Sequence, residues 1–254
     1  MSNTIEVRGV RIGKGIPKII VPIVGTTREE IFAAAVSLKN RRMDLVEWRA
    51  DWYDDVSDHL KTEDILRDLR NTLPQTPILF TFRTAGEGGE KAVEKHEYAR
   101  IIINAAQSGF VDLVDVEAFT GDEIVREIIE AAHAAGVKVV GSNHDFDKTP
   151  PREEIVRRLR KMQEMGADIP KIAVMPQSKR DVLALLGATE EMSTVYADRP
   201  IITMAMSGTG LISRLCGEAF GSSCTFGAIG KASAPGQMNA EDLDTILKLI
   251  HDNT

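Results

Sequence analysis

Short apolar runs rich in β-branched residues alternate along the whole chain with longer segments in which apolar and charged positions recur at helical spacing. The runs that predict strands are Lys18 to Val24, Asp44 to Arg49, Pro77 to Arg83, Leu113 to Glu117, Val137 to Asn143, Ile172 to Met175, Pro200 to Met206 and Cys224 to Ala228. They recur at roughly 30-residue intervals, as successive βαβ units do. Between them Arg28 to Leu38, Thr62 to Asn71, Glu94 to Gln107, Asp122 to Ala135, Glu153 to Met165 and Glu241 to His251 predict amphipathic covering helices. Local punctuation agrees: Gly136 stands where a helix needs a left-handed stop, and Pro150 and Pro151 open the next helix. An open doubly wound sheet would carry a G-x-G-x-x-G turn after its first strand, and none is present. About eight strands of one type favour closure, so the expected architecture is an α/β fold, a (β/α)8 TIM barrel, with residues 1–254 forming one catalytic domain. Gly9, between two short alternating runs in Thr4 to Ile12, adds an expected β-hairpin closing the bottom of the barrel.

Composition narrows the classes of function. The chain has 254 residues, 43% of them hydrophobic, close to the ~250 residues of a single barrel. A formal net charge of -7, with acidic and basic residues interspersed, gives the surface no attraction for polyanions and argues against nucleic acid or anionic lipid as a partner. Two cysteines, Cys216 and Cys224, cannot make a disulfide framework or complete an all-cysteine zinc site, which fits a reducing cytoplasm. Met1 to Gly9 has no apolar leader core, and no apolar run approaches the ~20 residues a membrane span needs. The expectation is a soluble cytoplasmic protein.

The chemistry of such a barrel sits at the C-terminal ends of its strands, and polar residues there are conspicuous. Glu47, Arg49, Arg83, Asp115, Glu117 and His144 end four apolar strands and would form a charged ring. Charged residues in a barrel also pair for purely structural reasons, so the ring alone identifies no reaction. Lys171 is a sharper anomaly: it opens the run Ile172 to Met175, and Ala173 and Met175 share its face. If that position is buried, desolvation and nearby cations lower an amine from ~10.4 toward the ~7 to 8 of a nucleophilic lysine. Placement at the start of the strand obliges its long side chain to reach toward the mouth. Lys231, just past the last strand, is the competing amine. Gly227 to Lys231 imitates a P-loop only in part, since Thr225 stands in place of the first glycine and Ala232 in place of the required Ser or Thr. His59, His96, His133 and His251 lie in or beside charged helices and read as solvent-exposed. Asp51, Asp54, Asp55 and Asp58 lack the EF-hand pattern and read as a solvated loop and helix start. No metal is expected.

Several motifs together resemble the family of type I 3-dehydroquinate dehydratases over essentially the whole chain. They are Glu47-Trp48-Arg49 with Asp51, Phe80-Thr81-Phe82-Arg83, Glu87-Gly88-Gly89-Glu90, Ser142-Asn143-His144-Asp145-Phe146, Lys171-Ile172-Ala173 with Met175-Pro176, Ile212-Ser213-Arg214, Thr225-Phe226-Gly227 and Ala232-Ser233-Ala234-Pro235-Gly236-Gln237. The resemblance implies syn elimination of water from 3-dehydroquinate through an imine on Lys171, which decides between the two lysines. It implies that His144 serves carbinolamine formation, removes the C2 proton and protonates the departing C1 hydroxyl, while Glu87 orients its ring and favours its cation. It further implies that Arg214 holds the substrate carboxylate, that Glu47, Arg49, Arg83, Ser233 and Gln237 bind the substrate, and that Met204, Met206 and Phe226 form apolar walls. The loop Ala232 to Gln237 would close as a lid. No cofactor is implied beyond the covalent imine, and the family suggests a homodimer in the shikimate pathway. Pro22 and Ala205 stand where some family members have serine. Two other functions fit the bare pattern: a class I aldolase-type Schiff-base barrel with a phosphate grip at Gly208 and Gly210, and a catalytically silent scaffold. The intact set Glu87, His144, Lys171 and Arg214 speaks against the scaffold.

Overall fold

The computed structural model describes residues 4–230 and 232–254. Met1 to Asn3, part of the N-terminal segment read above, and Lys231, the competing amine, lie outside the described residues.

Strands β1 (Ile5–Val7) and β2 (Val10–Ile12) form the expected antiparallel hairpin. Its tight turn needs two left-handed positions, and Arg8 at φ 46° and Gly9 at φ 78° supply them. The chain then alternates strand and helix: β3 (Lys18–Ile23), α1 (Arg28–Ser37), β4 (Leu45–Arg49), α2 (His59–Thr72), β5 (Ile78–Thr81), α3 (Lys95–Gln107), β6 (Leu113–Glu117), α4 (Asp122–Ala134), β7 (Lys138–Asp145) and α5 (Arg152–Glu164). It continues with β8 (Ile169–Val174), α6 (Lys179–Glu191), β9 (Ile202–Ala205), the short helices α7 (Leu211–Leu215) and α8 (Gly217–Phe220), β10 (Cys224–Ala228), β11 (Met238–Asn239) and α9 (Ala240–His251). Strands β3 to β9 are parallel and paired in chain order, and β10 returns to pair with β3, giving a TIM-barrel-like sheet. Closure between β9 and β10 is narrow. It consists of one parallel bridge, Ile201 to Ser222, the bond from Ser223 N to Ile201 O at 2.8 Å, and the Ser222 hydroxyl, which accepts from Thr203 N at 3.0 Å.

Strand alternation divides the core in two. Outward residues such as Val46, Trp48, Phe80, Val114, Ile172 and Val174 pack beneath the helices. The lowest inward residues, Ile20, Leu45, Leu79, Leu113, Val140, Ile169, Ile202 and Cys224, form an apolar plug that Val7 and Ile12 of the hairpin complete from below. Aspartates at the bottom rim fasten the register. Asp44, Asp112 and Asp168 each precede a strand and accept the N–H of the strand before it, from Ile19, Ile78 and Val139, at 2.8 Å in each case. Without them those first N–H groups would lack a ladder partner.

The short elements α7, α8 and β11 were not in the sequence reading, and β8 and α6 depart from it. Strand β8 begins at Ile169, three residues before the expected start, because Pro170 interrupts the apolar run without interrupting the ladder, where it stands opposite Gly141. Helix α6 was not expected at all, since Gly187 and Thr189 weaken its propensity. Its signal is nevertheless present in Asp181, which accepts from Ser178 N and Gln177 N, and in the buried stripe Val182, Leu185 and Ala188. Among the described residues no helix is long and apolar enough to cross a membrane.

Candidate active site

Above the apolar plug the inward positions turn polar. The next inward level holds Glu47, Thr81, Asp115, Ser142, Lys171, Met204 and Phe226, and the level above it holds Arg49, Arg83, Glu117, His144, Ala173 and Met206. The earlier start of β8 therefore changes the place of Lys171. It lies in mid-strand, 3% exposed, facing the barrel axis beside Ser142 of β7, so its amine needs no long reach to the interior. The expected charged ring is accordingly two tiers, with Glu47 and Asp115 below the others.

One cavity of about 460 Å³, partly open to solvent, gathers all twelve residues singled out in the sequence: Lys171, His144, Glu87, Glu47, Arg49, Arg83, Arg214, Ser233, Gln237, Met204, Met206 and Phe226. Lys171 Nζ lies 3.1 Å from Asp115 Oδ2 and 4.8 Å from the centroid of the Phe226 ring. Arg83 donates to Asp115 at 2.7 Å, to Glu117 at 3.1 Å and to Ser142 Oγ at 2.9 Å, and thereby ties three strands together. Glu47 accepts from Thr81 Oγ1 at 2.9 Å.

Asp51, expected in a solvated loop with Asp54, Asp55 and Asp58, is instead fully buried, while the other three are exposed. The reason is Arg49: its guanidinium fork meets both oxygens of Asp51 at 2.8 Å, and the N–H of Glu90 adds a third bond at 3.1 Å. His59, His96, His133 and His251 are exposed, as read. No group of three or more His, Cys, Asp or Glu is arranged to hold a metal among the described residues.

His144 sits at the top of β7, its Nδ1 3.0 Å from Glu87 Oε2, and the same oxygen accepts the backbone N–H of His144 at 2.9 Å. Asn143 Nδ2 donates to Glu87 Oε1 at 3.0 Å, and the Phe146 ring stacks on the imidazole at 6.4 Å between centroids. Gly88, in the left-handed region at φ 81°, makes room for that ring, which a Cβ at 88 would strike. Burial, then Arg83, Lys171 and Arg49, hold His144 well below its ordinary 6.5. Burial likewise pushes Glu87 up, to about 7, with Glu117 and Asp115 adding to the rise against the pull of Arg83. Glu87 thus orients the imidazole, while burial and the nearby cations work against its charged form. With Nδ1 turned to Glu87, Nε2 is the nitrogen left to exchange a proton in the cavity.

Arg214 differs from the other two guanidiniums. It is 2% exposed, donates to the Pro235 carbonyl at 3.1 Å and to Met204 Sδ at 3.6 Å, and has no carboxylate partner among the described residues. Burial alone draws it down to about 10, and its Nε has no partner there. The segment 232–237 crosses the mouth. Ser233 O accepts from Arg49 at 3.2 Å, Gln237 and Ser233 bond each other, and Gly236 packs on the backbone of Ser207, a contact that excludes a Cβ.

Asp115 and Ser142 at the amine, Phe146 on the imidazole and Thr81 under Glu47 were not assigned to the site from sequence. Asp115 was noted as a polar strand residue, but the register that puts β6 and β7 beside Lys171 is tertiary. The cavity joins a buried primary amine, an imidazole–carboxylate pair and an uncompensated guanidinium. That set suits condensation with a carbonyl followed by proton transfer on an anionic small molecule.

The family model for type I 3-dehydroquinase matches residues 19–254. A 3-dehydroquinate dehydratase of Clostridioides difficile is 51% identical over 99% of this chain and 98% of its own length, and one of Clostridium botulinum is 52% identical over the full length of both. The crystal structure of a type I 3-dehydroquinate dehydratase from Clostridium difficile with covalent modified comenic acid superposes with a TM-score of 0.97 at 50% identity, covering all of both chains.

Proposed function

The chain belongs to the type I 3-dehydroquinase family, and from that premise we propose that residues 1–254 form one catalytic domain that converts 3-dehydroquinate to 3-dehydroshikimate and water through an imine on Lys171. The observation that carries the reading is the buried Lys171 amine facing the same cavity as the His144–Glu87 pair and the unpaired Arg214.

Arg214 takes the substrate carboxylate in its planar fork, replacing the carbonyl of Pro235 and satisfying its idle Nε. This places the C3 ketone toward Lys171. Its amine adds to the carbonyl carbon, the carbinolamine loses water, and the protonated imine that remains withdraws electrons from C2. His144 Nε2 removes the C2 proton, with Nδ1–H held on Glu87. The resulting imidazolium gives that proton to the C1 hydroxyl as it leaves as water, and hydrolysis of the imine frees the lysine and the enone product. An imidazole held below 6.5 is neutral when the step begins, as a base must be. Glu47, Arg49 and Arg83 present their remaining hydrogen-bonding capacity to ring hydroxyls. Ser233 and Gln237 contribute from the lid, and Met204, Met206 and Phe226 wall the apolar ring faces. The reaction draws on no cofactor, and the working form is a cytoplasmic homodimer. Sedimentation at the mass of a single 27.9 kDa chain with full activity would remove the dimer from this reading.

The test is incubation with 3-dehydroquinate and borohydride, following enone absorbance and locating added mass. Turnover with borohydride inactivation and label confined to Lys171, both absent in Lys171→Ala, is the expected result. Turnover without any trapped adduct overturns the imine, and absence of turnover overturns the activity.

A further inference from the structure

The Lys171 amine ends against a carboxylate that the mechanism above leaves unused. Asp115, fully buried on β6, divides its two oxygens: Oδ1 accepts from Arg83 at 2.7 Å and from Ser142 Oγ at 2.6 Å, while Oδ2 faces Lys171 Nζ at 3.1 Å. Among the described residues Nζ is the only hydrogen-bond donor on Oδ2. Arg83 does not depend on Asp115 for a counter-charge, since Glu117 at 3.1 Å and Glu87 at 3.6 Å flank it as well. Ser142 both donates to Asp115 and accepts from Arg83, which fixes the carboxylate plane from the strand directly beside Lys171. The amine also lies over the face of Phe226, 4.8 Å from its centroid, whose π-electrons favour a cation.

Resting on the lysine-imine reading, we propose that Asp115 is the counter-ion of the protonated imine on Lys171, a catalytic carboxylate aimed at the reacting nitrogen by Ser142 and Arg83. The balance is direct. An ammonium group and a ketone give an iminium with one N–H, plus water, so the positive charge on nitrogen is conserved while two of its three protons leave in the water. The proton that the ammonium releases before its lone pair attacks passes to His144 and returns to the carbinolamine hydroxyl as it leaves as water, so Asp115 stays ionised throughout and neither gives nor takes a proton. It accepts from the ammonium before condensation and from the single iminium N–H afterwards. A buried iminium without an adjacent anion would carry the full cost of desolvation, and its electron-withdrawing charge would be the form that the interior disfavours. The groups that share this interior with the nitrogen are His144 on β7, Arg83 just past β5, Glu47 on β4 and Cys224 on β10, and among the described residues none of these hydrogen-bonds Nζ.

Asp115→Asn keeps the shape and removes the charge. The expected result is at least a hundredfold loss of turnover and at least a tenfold slower borohydride inactivation in the presence of 3-dehydroquinate. Binding of quinate, which has a hydroxyl in place of the ketone and forms no imine, should change by less than about threefold. Asp115→Glu, which restores the charge, should recover part of the trapping rate. Wild-type trapping and turnover in Asp115→Asn overturn the proposal while leaving the imine reading intact. Failure to trap the wild-type protein overturns the imine reading itself. If Asp115→Asn does not fold, Ser142→Ala carries the test: it keeps the carboxylate but frees its plane, and an unchanged trapping rate in that variant overturns the proposal.

Discussion

Glu87 and His144 are bound to one another, yet their titrations pull stability in opposite directions. Glu87 is raised from 4.5 to about 7, so its contribution is complete below about 4.5 and is lost as pH rises through about 7. His144 is depressed below 6.5, so its contribution is present above about 6.5 and is lost as pH falls toward the lower folded-state value. Glu87→Gln removes the first effect and keeps an oxygen acceptor for the imidazole. The variant should therefore gain stability relative to the wild type as pH goes from about 5 to about 8. Urea midpoints at several pH values check this, and a difference that is flat or of the other sign would contradict the raised carboxyl. Asp115 shows how the same interior treats another carboxylate. Burial alone would raise it, but Arg83, Lys171 and Ser142 outweigh burial and hold it at about 2. Two buried acids of one barrel are thus driven apart by their neighbours, one kept as a fixed charge and the other raised toward neutrality.

Elements rather than single side chains set where these groups point. Seven strands carry an apolar residue at the lowest inward position and a polar or bulky one two residues later, so each functional side chain is raised above the plug by one or two steps of the pleat. Helices hold the strands at that height. For α6, Asp181 satisfies the two N–H groups of Gln177 and Ser178 at 2.7 and 3.0 Å, and the helix packs over β9 through the bond between Thr189 and Thr203. Asp181→Ala should cost about 1 kcal/mol in urea denaturation, the usual worth of a helix-capping group. A change below a few tenths would mean that tertiary packing alone starts this helix. Both the cap and the apolar stripe were legible in the sequence, but Gly187 and Thr189 obscured them.

At the scale of the whole molecule the weak place in the sheet is the seam between β9 and β10. The Ser222 hydroxyl accepts from Thr203 N at 3.0 Å and lies 3.3 Å from the carbonyls of Thr203 and Cys224, doing there what a backbone ladder does elsewhere. Ser222→Ala leaves a buried N–H without its acceptor and should destabilise the fold by about 1–3 kcal/mol. The seam lies below Met204 and Phe226, so the same change should loosen the walls of the cavity and raise KM more than it lowers kcat. Urea unfolding with steady-state kinetics tests both, and unchanged stability would mean that water or a shifted strand takes over the bond.

From the chain alone came the parallel α/β class, the hairpin and most element positions, because hydrophobic period and turn residues are local and survive in one dimension, while the resemblance of its short motifs to a known family supplied most of the residues gathered in one cavity. Tertiary structure decided what depends on register and burial. Lys171 reads as the first residue of a strand until pairing with Ser142 places it in the middle. Asp51 reads as solvated until the fork of Arg49 buries it. The depressed pKa of His144 follows from burial and then from three cations distant in sequence, and the carboxylate at the lysine comes from a segment 56 residues away. Pairing register and the electrostatics of a buried site are sums over neighbours distant in sequence, and only the folded chain brings those neighbours together.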